Sequence, residues 1–174
     1  MQLQYAYILR QLLPLISHSN DEFAEIELET GVKTSSGTNE IDILLKGKSS
    51  SGTHNIAIEM KCYRKIASSG GLRGAHDIFM KDVYEDLMIL EEYVSLGIAD
   101  SGVALVMNDL ERFVNPRRKS GKCWDYDVSH GTRLSGANLN TSIGGKSVSI
   151  TLNQSYHFNW EKFGDFWFLE LEGS

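Results

Sequence analysis

The sequence predicts an α/β protein of the α+β type, in which a central mixed β-sheet is flanked by helices. Apolar residues recur at helical spacing near the start of the chain and again from Phe79 to Val94. Three short segments between these helices have the β-branched or alternating character of strands. An apolar strand follows at Ser101–Met107. The expected core order is therefore α-β-β-β-α-β, with additional β-strands in the C-terminal third.

The first two elements are a helix and a half-buried strand. Gln2–Ile16 carries leucines at helical spacing, and Pro14 lies in its last turn, where proline bends or ends a helix. Phe23–Thr30 alternates apolar residues with three glutamates, which predicts a strand with one buried face.

Two further strands are expected at Asn39–Leu45 and Ile56–Lys61. Both segments are apolar and β-branched, and both are bounded by clusters of Gly, Ser, Thr and Asn. Side chains alternate across a strand, so residues two apart share a face. By this rule Glu59 and Lys61 point the same way.

A long helix is the next expected element. Its apolar stripe steps by three or four residues along the chain, and Gly97 closes it. The stripe consists of Phe79, Val83, Leu87, Leu90 and Val94. Residues 66–74, which precede the helix, are rich in Ser and Gly and predict a mobile loop.

The C-terminal third is less regular. Residues 130–146 are rich in Gly, Ser, Thr and Asn and predict a loop, whereas Ser147–Leu152, Tyr156–Trp160 and Phe166–Leu171 predict strands. An aromatic cluster is formed by Trp160, Phe163, Phe166, Trp167 and Phe168. A core or dimer contact explains this cluster better than base stacking.

Three of the charged residues in the strands predicted at Asn39–Leu45 and Ile56–Lys61 lie within apolar runs. Asp42, Glu59 and Lys61 would be costly to bury unless they met one another or a cation. Two carboxylates suit a hard divalent cation such as Mg²⁺, for which Mn²⁺ is expected to substitute. A neighbouring ammonium can orient an attacking water and spread the negative charge of a transition state. The trio therefore predicts metal-dependent phosphodiester hydrolysis.

The same residues resemble the signature of the PD-(D/E)xK, or restriction-endonuclease-like, nuclease superfamily. Asp42 stands for the first acid and Glu59-Met60-Lys61 for the (D/E)xK segment, 17 residues later. Ile41 replaces the proline of the signature, at a position that varies widely in the superfamily. The resemblance covers roughly residues 2–109.

This resemblance implies a metal-dependent nuclease. Asp42, Glu59 and the main-chain carbonyl of Met60 would hold Mg²⁺, and Lys61 would activate the attacking water. Glu40 is the candidate auxiliary ligand, and its rivals are Glu22 and Glu25. DNA is the usual substrate of the family and its members often cut as dimers, so DNA and a homodimer are the expected partners. The choice between DNA and RNA, and between endonuclease and exonuclease, stays open.

Other interpretations of the trio also stay open. A carboxylate and a lysine on a hairpin can form an exposed cross-strand ion pair, worth under about 1 kcal/mol. A nuclease-like module could bind nucleic acid without turnover. A structural protein could use the aromatic C-terminus to form oligomers.

Length and composition are those of one globular domain. The 174 residues are expected to form a single domain, with a core at about residues 2–109 and a β-rich extension at about 110–172. No apolar run reaches the ~20 residues of a membrane span, and no signal peptide is recognisable. Cys62 and Cys123 lack the spacing of a metal site, so a reduced, cytoplasmic protein without a membrane partner is expected.

The net charge of −6 opposes a nucleic-acid partner, but the basic residues are clustered. Residues 60–76 and 112–124 contain nine of the 17 Lys and Arg residues and no acid. These two windows predict phosphate contacts. The candidate nucleic-acid-binding residues are Arg64, Lys65, Arg73, Arg117, Arg118 and Lys119.

Overall fold

The computed structural model describes residues 2–16, 22–35, 37–50 and 52–174. Its helices are α1 (Gln2–Ile16), α2 (His76–Ser95), the short α3 (Glu111–Val114) and a 3₁₀ helix at Lys122–Tyr126. Its strands are β1 (Phe23–Thr34), β2 (Gly37–Ser49), β3 (Gly52–Tyr63), β4 (Ser101–Asn108), β5 (Arg133–Leu139), β6 (Ile150–His157), β7 (Glu161–Phe163) and β8 (Phe166–Glu172).

Six strands form one mixed sheet in the order β1-β2-β3-β4-β8-β7. Strands β3 and β4 run parallel and are connected through α2, whereas the other neighbours are antiparallel. Strands β5 and β6 pair in a separate two-stranded sheet. The mixed α+β fold and the element order α-β-β-β-α-β are thus confirmed.

The two faces of the large sheet are covered by different helices. On one face, Ala6 of α1 packs with Ile43 and Ile58 in what we call the α1-side cluster. The opposite face packs against α2, where Val83 and Leu87 are fully buried. We call this larger apolar group the α2-side core.

Helix α2 is held from more than one side. Towards the sheet, Gly102 of β4 lies so close that a Cβ at this position would be 2.9 Å from the Cβ of Leu90. Towards the C-terminal third, the Glu91 carboxylate accepts hydrogen bonds from the main-chain N–H of Asn153 at 2.8 Å and the Tyr156 hydroxyl at 3.0 Å. These contacts fix the helix between the large sheet and β6.

The helix ends as predicted, although its buried stripe differs at one position. Gly97 follows α2 with a φ of 68°, a conformation that glycine adopts without strain. Tyr93 is buried, whereas Val94 is only half-buried. The loop at residues 66–74 is more regular than its composition predicts, because Ile66 pairs with Leu72 in a β-bridge.

Two predictions for the C-terminal third were wrong. The strands expected at Ser147–Leu152 and Tyr156–Trp160 are replaced by the single strand β6, which bridges the gap between them. Its partner β5 lies within residues 130–146, which were expected to form a loop. The composition of β5 does not indicate a strand, because β5 is stabilised by its pairing with β6 and not by a run of apolar residues. The predicted strand at Phe166–Leu171 is confirmed as part of β8.

No helix among the described residues combines the length and the apolar character needed to cross a membrane.

Candidate active site

The candidate site lies where β2 and β3 separate. Their ladder ends at the pair Ile43 and Ile58, and its continuation would set Asp42 opposite Glu59. At this point the main-chain N–H of Met60 donates a hydrogen bond to Asp42 Oδ2 at 2.7 Å. A carboxylate thus takes the place of a ladder partner between the two strands.

A bend in the β1–β2 hairpin lies next to this separation. Glu29, which the register would pair with Asp42, has a φ of 50° and is missing from the ladder. Residues two apart normally share a face, yet Ile41 packs in the α2-side core and Ile43 in the α1-side cluster. The free carbonyl oxygen of Asp42 accepts a hydrogen bond from Gln2 Nε2 at 2.5 Å. Irregular strand geometry of this kind re-aims side chains next to functional sites.

Glu59 lies in a buried and electronegative environment. Burial, followed by the charges of Asp42 and Asp86, raises the pKa of its carboxyl from 4.5 to about 8. The Tyr93 hydroxyl donates a hydrogen bond to this carboxyl group. Oε1 of Glu59 is nevertheless buried without a hydrogen-bond partner among the described residues. An oxygen in this state lacks a proton donor or a cation.

Lys61 points to the same side of the sheet as Glu59 and meets α2. Its Nζ lies 3.1 Å from Asp86 Oδ2. Burial alone would lower the pKa of the Lys61 ammonium, but Asp86, with help from Asp82, outweighs burial and raises it. Burial raises the pKa of Asp86 to about 6, although Lys61 opposes this shift. The lysine is therefore a fixed cation at one side of the site.

Asp42, Glu59 and Lys61 were expected to lie together, but the polar side chains that α2 adds to the site were not expected. Asp82, Asp86 and Tyr93 are spaced at i, i+4 and i+11, so they form a polar stripe beside the buried apolar stripe of the helix. This spacing is visible in the sequence. Acidic residues at such positions are normally exposed, which is why the stripe did not indicate a site.

The donor set suits a cation that needs few protein ligands. In the described ranges, no group of three or more His, Cys, Asp or Glu side chains is arranged to hold a metal ion. Asp42 and Glu59 remain as two carboxylates, and Oε1 of Glu59 is the oxygen without a hydrogen-bond partner among the described residues. Mg²⁺ takes one or two carboxylates while keeping several waters. The N–H and C=O of a strand residue point to the same neighbouring strand, so the Met60 carbonyl faces β2, as the Met60 N–H does. The β2–β3 ladder ends before Met60, at the pair Ile43 and Ile58. These groups are oxygen donors of the kind that Mg²⁺ takes, and a magnesium site at this place stays a prediction.

Comparison of this chain with protein-family models, curated proteins and solved structures found no match. The functional interpretation therefore rests on the geometry of the site.

The candidate auxiliary ligands lie further out. Glu40 is an exposed residue of β2 that pairs with Gly31, and the bend at Asp42 breaks the alternation that would place the two carboxylates on one face. Glu25 is exposed on β1, and Glu22 is half-buried just before that strand. Asp86 is the acid that the structure brings to the trio instead.

The first basic window surrounds the end of β3. Arg64 Nε lies 3.0 Å from Asp109 Oδ2, and its guanidinium stands 4.8 Å from the centre of the Phe166 ring. Lys65 has an exposed side chain, and its main-chain N–H donates to Asp109 Oδ1 at 2.6 Å. Arg73 lies over the Tyr63 ring at 5.3 Å. Arg64 is thus partly engaged within the protein, whereas Lys65 and Arg73 carry no ion pair in the described ranges.

The second basic window follows β4 and α3. Arg112, Arg117 and Arg118 line a surface cavity of about 450 Å³ and form no ion pair within the part of the chain that is described. Lys119 differs, because its Nζ lies 2.5 Å from Asp127 Oδ2. Glu111 also lines this cavity, so three guanidinium groups and one carboxylate give it a net positive charge, in contrast to the net negative charge of the protein.

Aromatic contacts join the two basic windows. Phe113, the neighbour of Arg112, packs against Tyr63 at 4.9 Å and against His76 at 5.6 Å between ring centres. Arg73 covers the same Tyr63 ring. The windows are far apart in sequence but meet at the end of the sheet where β3, the strand of Glu59 and Lys61, terminates.

Proposed function

We propose that this protein is a metal-dependent nuclease that hydrolyses phosphodiester bonds, with DNA as the favoured substrate. The observation that carries the proposal is the convergence of Asp42, Glu59 and Lys61 at the separation of β2 and β3, with an orphaned carboxylate oxygen of Glu59 in the same place. An exposed ion pair on an ordinary hairpin does not account for the burial and raised pKa of Glu59.

The cation would be held by Asp42, Glu59 and the main-chain carbonyl of Met60. When bound, Mg²⁺ or Mn²⁺ supplies a Lewis acid for a phosphoryl oxygen and lowers the pKa of a coordinated water. The Met60 N–H orients Asp42, and the Tyr93 hydroxyl orients Glu59. Because the pKa of Glu59 is about 8 without the cation, a proton competes for this ligand at neutral pH.

Lys61 has a separate part in the reaction. Asp86 holds its ammonium in position and keeps it protonated, so Lys61 orients the attacking water by hydrogen bonding and stabilises negative charge on the phosphoryl group. It is not a metal ligand. Removal of Lys61 therefore separates turnover from cation binding.

The substrate backbone would be bound by the joined basic windows. Guanidinium groups bind phosphate oxygens in a bidentate manner, and Arg73, Arg112, Arg117 and Arg118 carry no carboxylate partner among the described side chains. Binding through such groups is strongly salt-dependent, because it releases counterions from the nucleic acid.

Nicking of supercoiled plasmid tests the proposal directly. Wild type should nick in the presence of Mg²⁺ or Mn²⁺ and stop on addition of EDTA. Asp42→Asn and Glu59→Gln should each lose activity and Mn²⁺ binding, whereas Lys61→Ala should lose on the order of 100-fold in rate and still bind Mn²⁺. Glu172→Gln, at an exposed position of β8 that has no proposed role, is the matched control and should cut normally. Nicking by all variants would identify a contaminating nuclease and reject the proposed site.

Binding is best measured in the Glu59→Gln background, because cleavage is then absent. Replacement of Arg73, Arg117 and Arg118 by Gln should weaken DNA binding and lower the slope of log affinity against log salt by about one for each phosphate group that is no longer bound. The control removes the same charge from Lys33, Lys48 and Lys146, which have exposed side chains elsewhere. Equal weakening in both triple variants would show that the basic windows have no special role.

A nucleic-acid-binding module without turnover is the second candidate. Its support is the Lys61–Asp86 ion pair, which occupies the lysine, and the lack of a group of three metal-ligating side chains in the described ranges. This alternative predicts salt-dependent binding by wild type with no nicking in Mg²⁺ or Mn²⁺.

A further inference from the structure

The outer half of helix α1 is apolar and uncovered. Its inner half contributes Ala6 and Leu9 to the α1-side cluster, yet the opposite half also consists largely of apolar residues. The large apolar residues exposed on α1 are Leu3 (74 %), Tyr7 (61 %), Ile8 (47 %), Leu12 (48 %) and Leu15 (71 %), and Gln4, Arg10 and Gln11 are exposed as well. A helix that is apolar on both sides is normally buried on both sides.

These five side chains form two ridges. Ile8, Leu12 and Leu15 follow one another at i, i+4 and i+7, and Leu3 and Tyr7 at i and i+4. Ridges at this spacing are the surface by which helices pack into one another's grooves. The outer half of α1 is therefore shaped to receive another helix.

The exposed area is sufficient for a dimer. A fully exposed large apolar residue presents on the order of 200 Å², so these five, which are 47–74 % exposed, together present on the order of 600 Å². Two such faces bury about 1,200 Å² in total, and the lower limit for a specific interface is about 1,000 Å².

The low charge of α1 indicates which partner covers its outer face. Arg10 is the only charged residue of α1, so two copies of this face do not repel each other. The two ridges extend from Leu3 to Leu15, and their midpoint is near Leu9. In an antiparallel twofold arrangement about this midpoint, the N-terminal end of each α1 packs against the C-terminal end of the partner's α1. A membrane surface fits poorly, because interfacial helices carry several Lys or Arg residues and this protein has a net charge of −6.

We propose that the outer face of α1 is a homodimer interface, in which two copies of α1 pack antiparallel about a twofold axis. This interface lies on the face of the sheet opposite α2, and therefore opposite the Lys61–Asp86 ion pair.

Sedimentation velocity and light scattering test the interface. Wild type at about 100 µM should have twice the 19.5 kDa mass of the chain. The double variant Leu3→Glu/Leu15→Glu should be monomeric, because dimerisation would bury four carboxylates against apolar surface. Leu72→Glu is the matched control, since Leu72 is an 85 % exposed leucine far from α1 in sequence, and it should remain dimeric. A monomeric wild type, or a double variant that still dimerises, overturns the proposal.

A second variant decides the matter if the double variant unfolds. Gln11 lies on the outer half of α1, so Gln11→Cys, made in a Cys62→Ser/Cys123→Ser background, should be cross-linked between two copies by a short bis-maleimide. Leu96→Cys, exposed after the end of α2, is the control and should not cross-link. Equal cross-linking at both positions, or none at position 11, rejects the α1 interface.

Discussion

Glu59→Gln should stabilise the metal-free protein at neutral and alkaline pH, although it removes a proposed metal ligand. The folded state holds the Glu59 carboxyl where burial, Asp42 and Asp86 all favour its protonated form. Ionisation of this group therefore opposes folding. A glutamine of the same shape has no charge to lose, and its side-chain oxygen can still accept the hydrogen bond from Tyr93.

The size of the effect follows from the pKa. The value rises from 4.5 to about 8 on folding, so the folded state binds the proton more tightly. The stability associated with this proton is fully present below pH 4.5 and is lost as the pH rises through about 8. At ~1.36 kcal/mol per pKa unit, the loss between pH 5 and pH 8 is about 3 kcal/mol.

Urea unfolding in EDTA at several pH values measures this difference. The free energy of unfolding of wild type should fall from pH 5 to pH 8, and that of Glu59→Gln should fall by about 3 kcal/mol less. Exposed Glu25→Gln is the control and should follow wild type. Parallel pH profiles for wild type and Glu59→Gln would refute the argument that the site disfavours the charged form of this carboxyl.

Three further predictions concern α2 and its contacts. Gly102→Ala should destabilise the protein by about 2 kcal/mol in urea unfolding, because the new Cβ meets Leu90, and an unchanged midpoint would contradict this packing. Glu91→Ala should lower the free energy of unfolding by about 2 kcal/mol and speed amide hydrogen exchange in β6, where the hydrogen-bond partners of Glu91 lie. Unchanged exchange in β6 would contradict a stabilising role for these hydrogen bonds. Tyr93→Phe removes a hydrogen bond that lowers the pKa of Glu59, so Mn²⁺ binding by calorimetry should weaken at pH 7 and recover at higher pH. A weakening independent of pH would contradict this role.

Much of the N-terminal fold was predictable because local pattern and tertiary structure agree there. The leucine spacing of Gln2–Ile16 and the apolar run of Ser101–Met107 each indicate one kind of element, and both are present. Strand β5 was not predictable in this way. Its residues are small and polar, and the strand is held by a partner that follows it in the chain, which local propensity does not report.

The candidate site divides along similar lines. Asp42, Glu59 and Lys61 were predictable because charges inside apolar strands stand out against the local pattern. Asp86 was not, because an acid on an amphipathic helix normally faces water, and only the packing of α2 on the sheet turns it inward. The outward position of Glu40 follows from the bend at Asp42, which a strict alternation of side chains does not anticipate.

The contacts of α2 with β4 and β6 limit how far Asp86 can move relative to Lys61. A helix advances about 1.5 Å per residue, so an axial slide of one residue would carry Asp86 out of reach of Lys61 Nζ, which now lies 3.1 Å away. The close approach of Leu90 to Gly102 and the hydrogen bonds of Glu91 to β6 resist such a slide. The C-terminal third contributes none of Asp42, Glu59 and Lys61, yet the contacts of β6 with α2 hold the helix in register with the sheet. Substitutions in β6 could then alter the alignment of Lys61 without touching it.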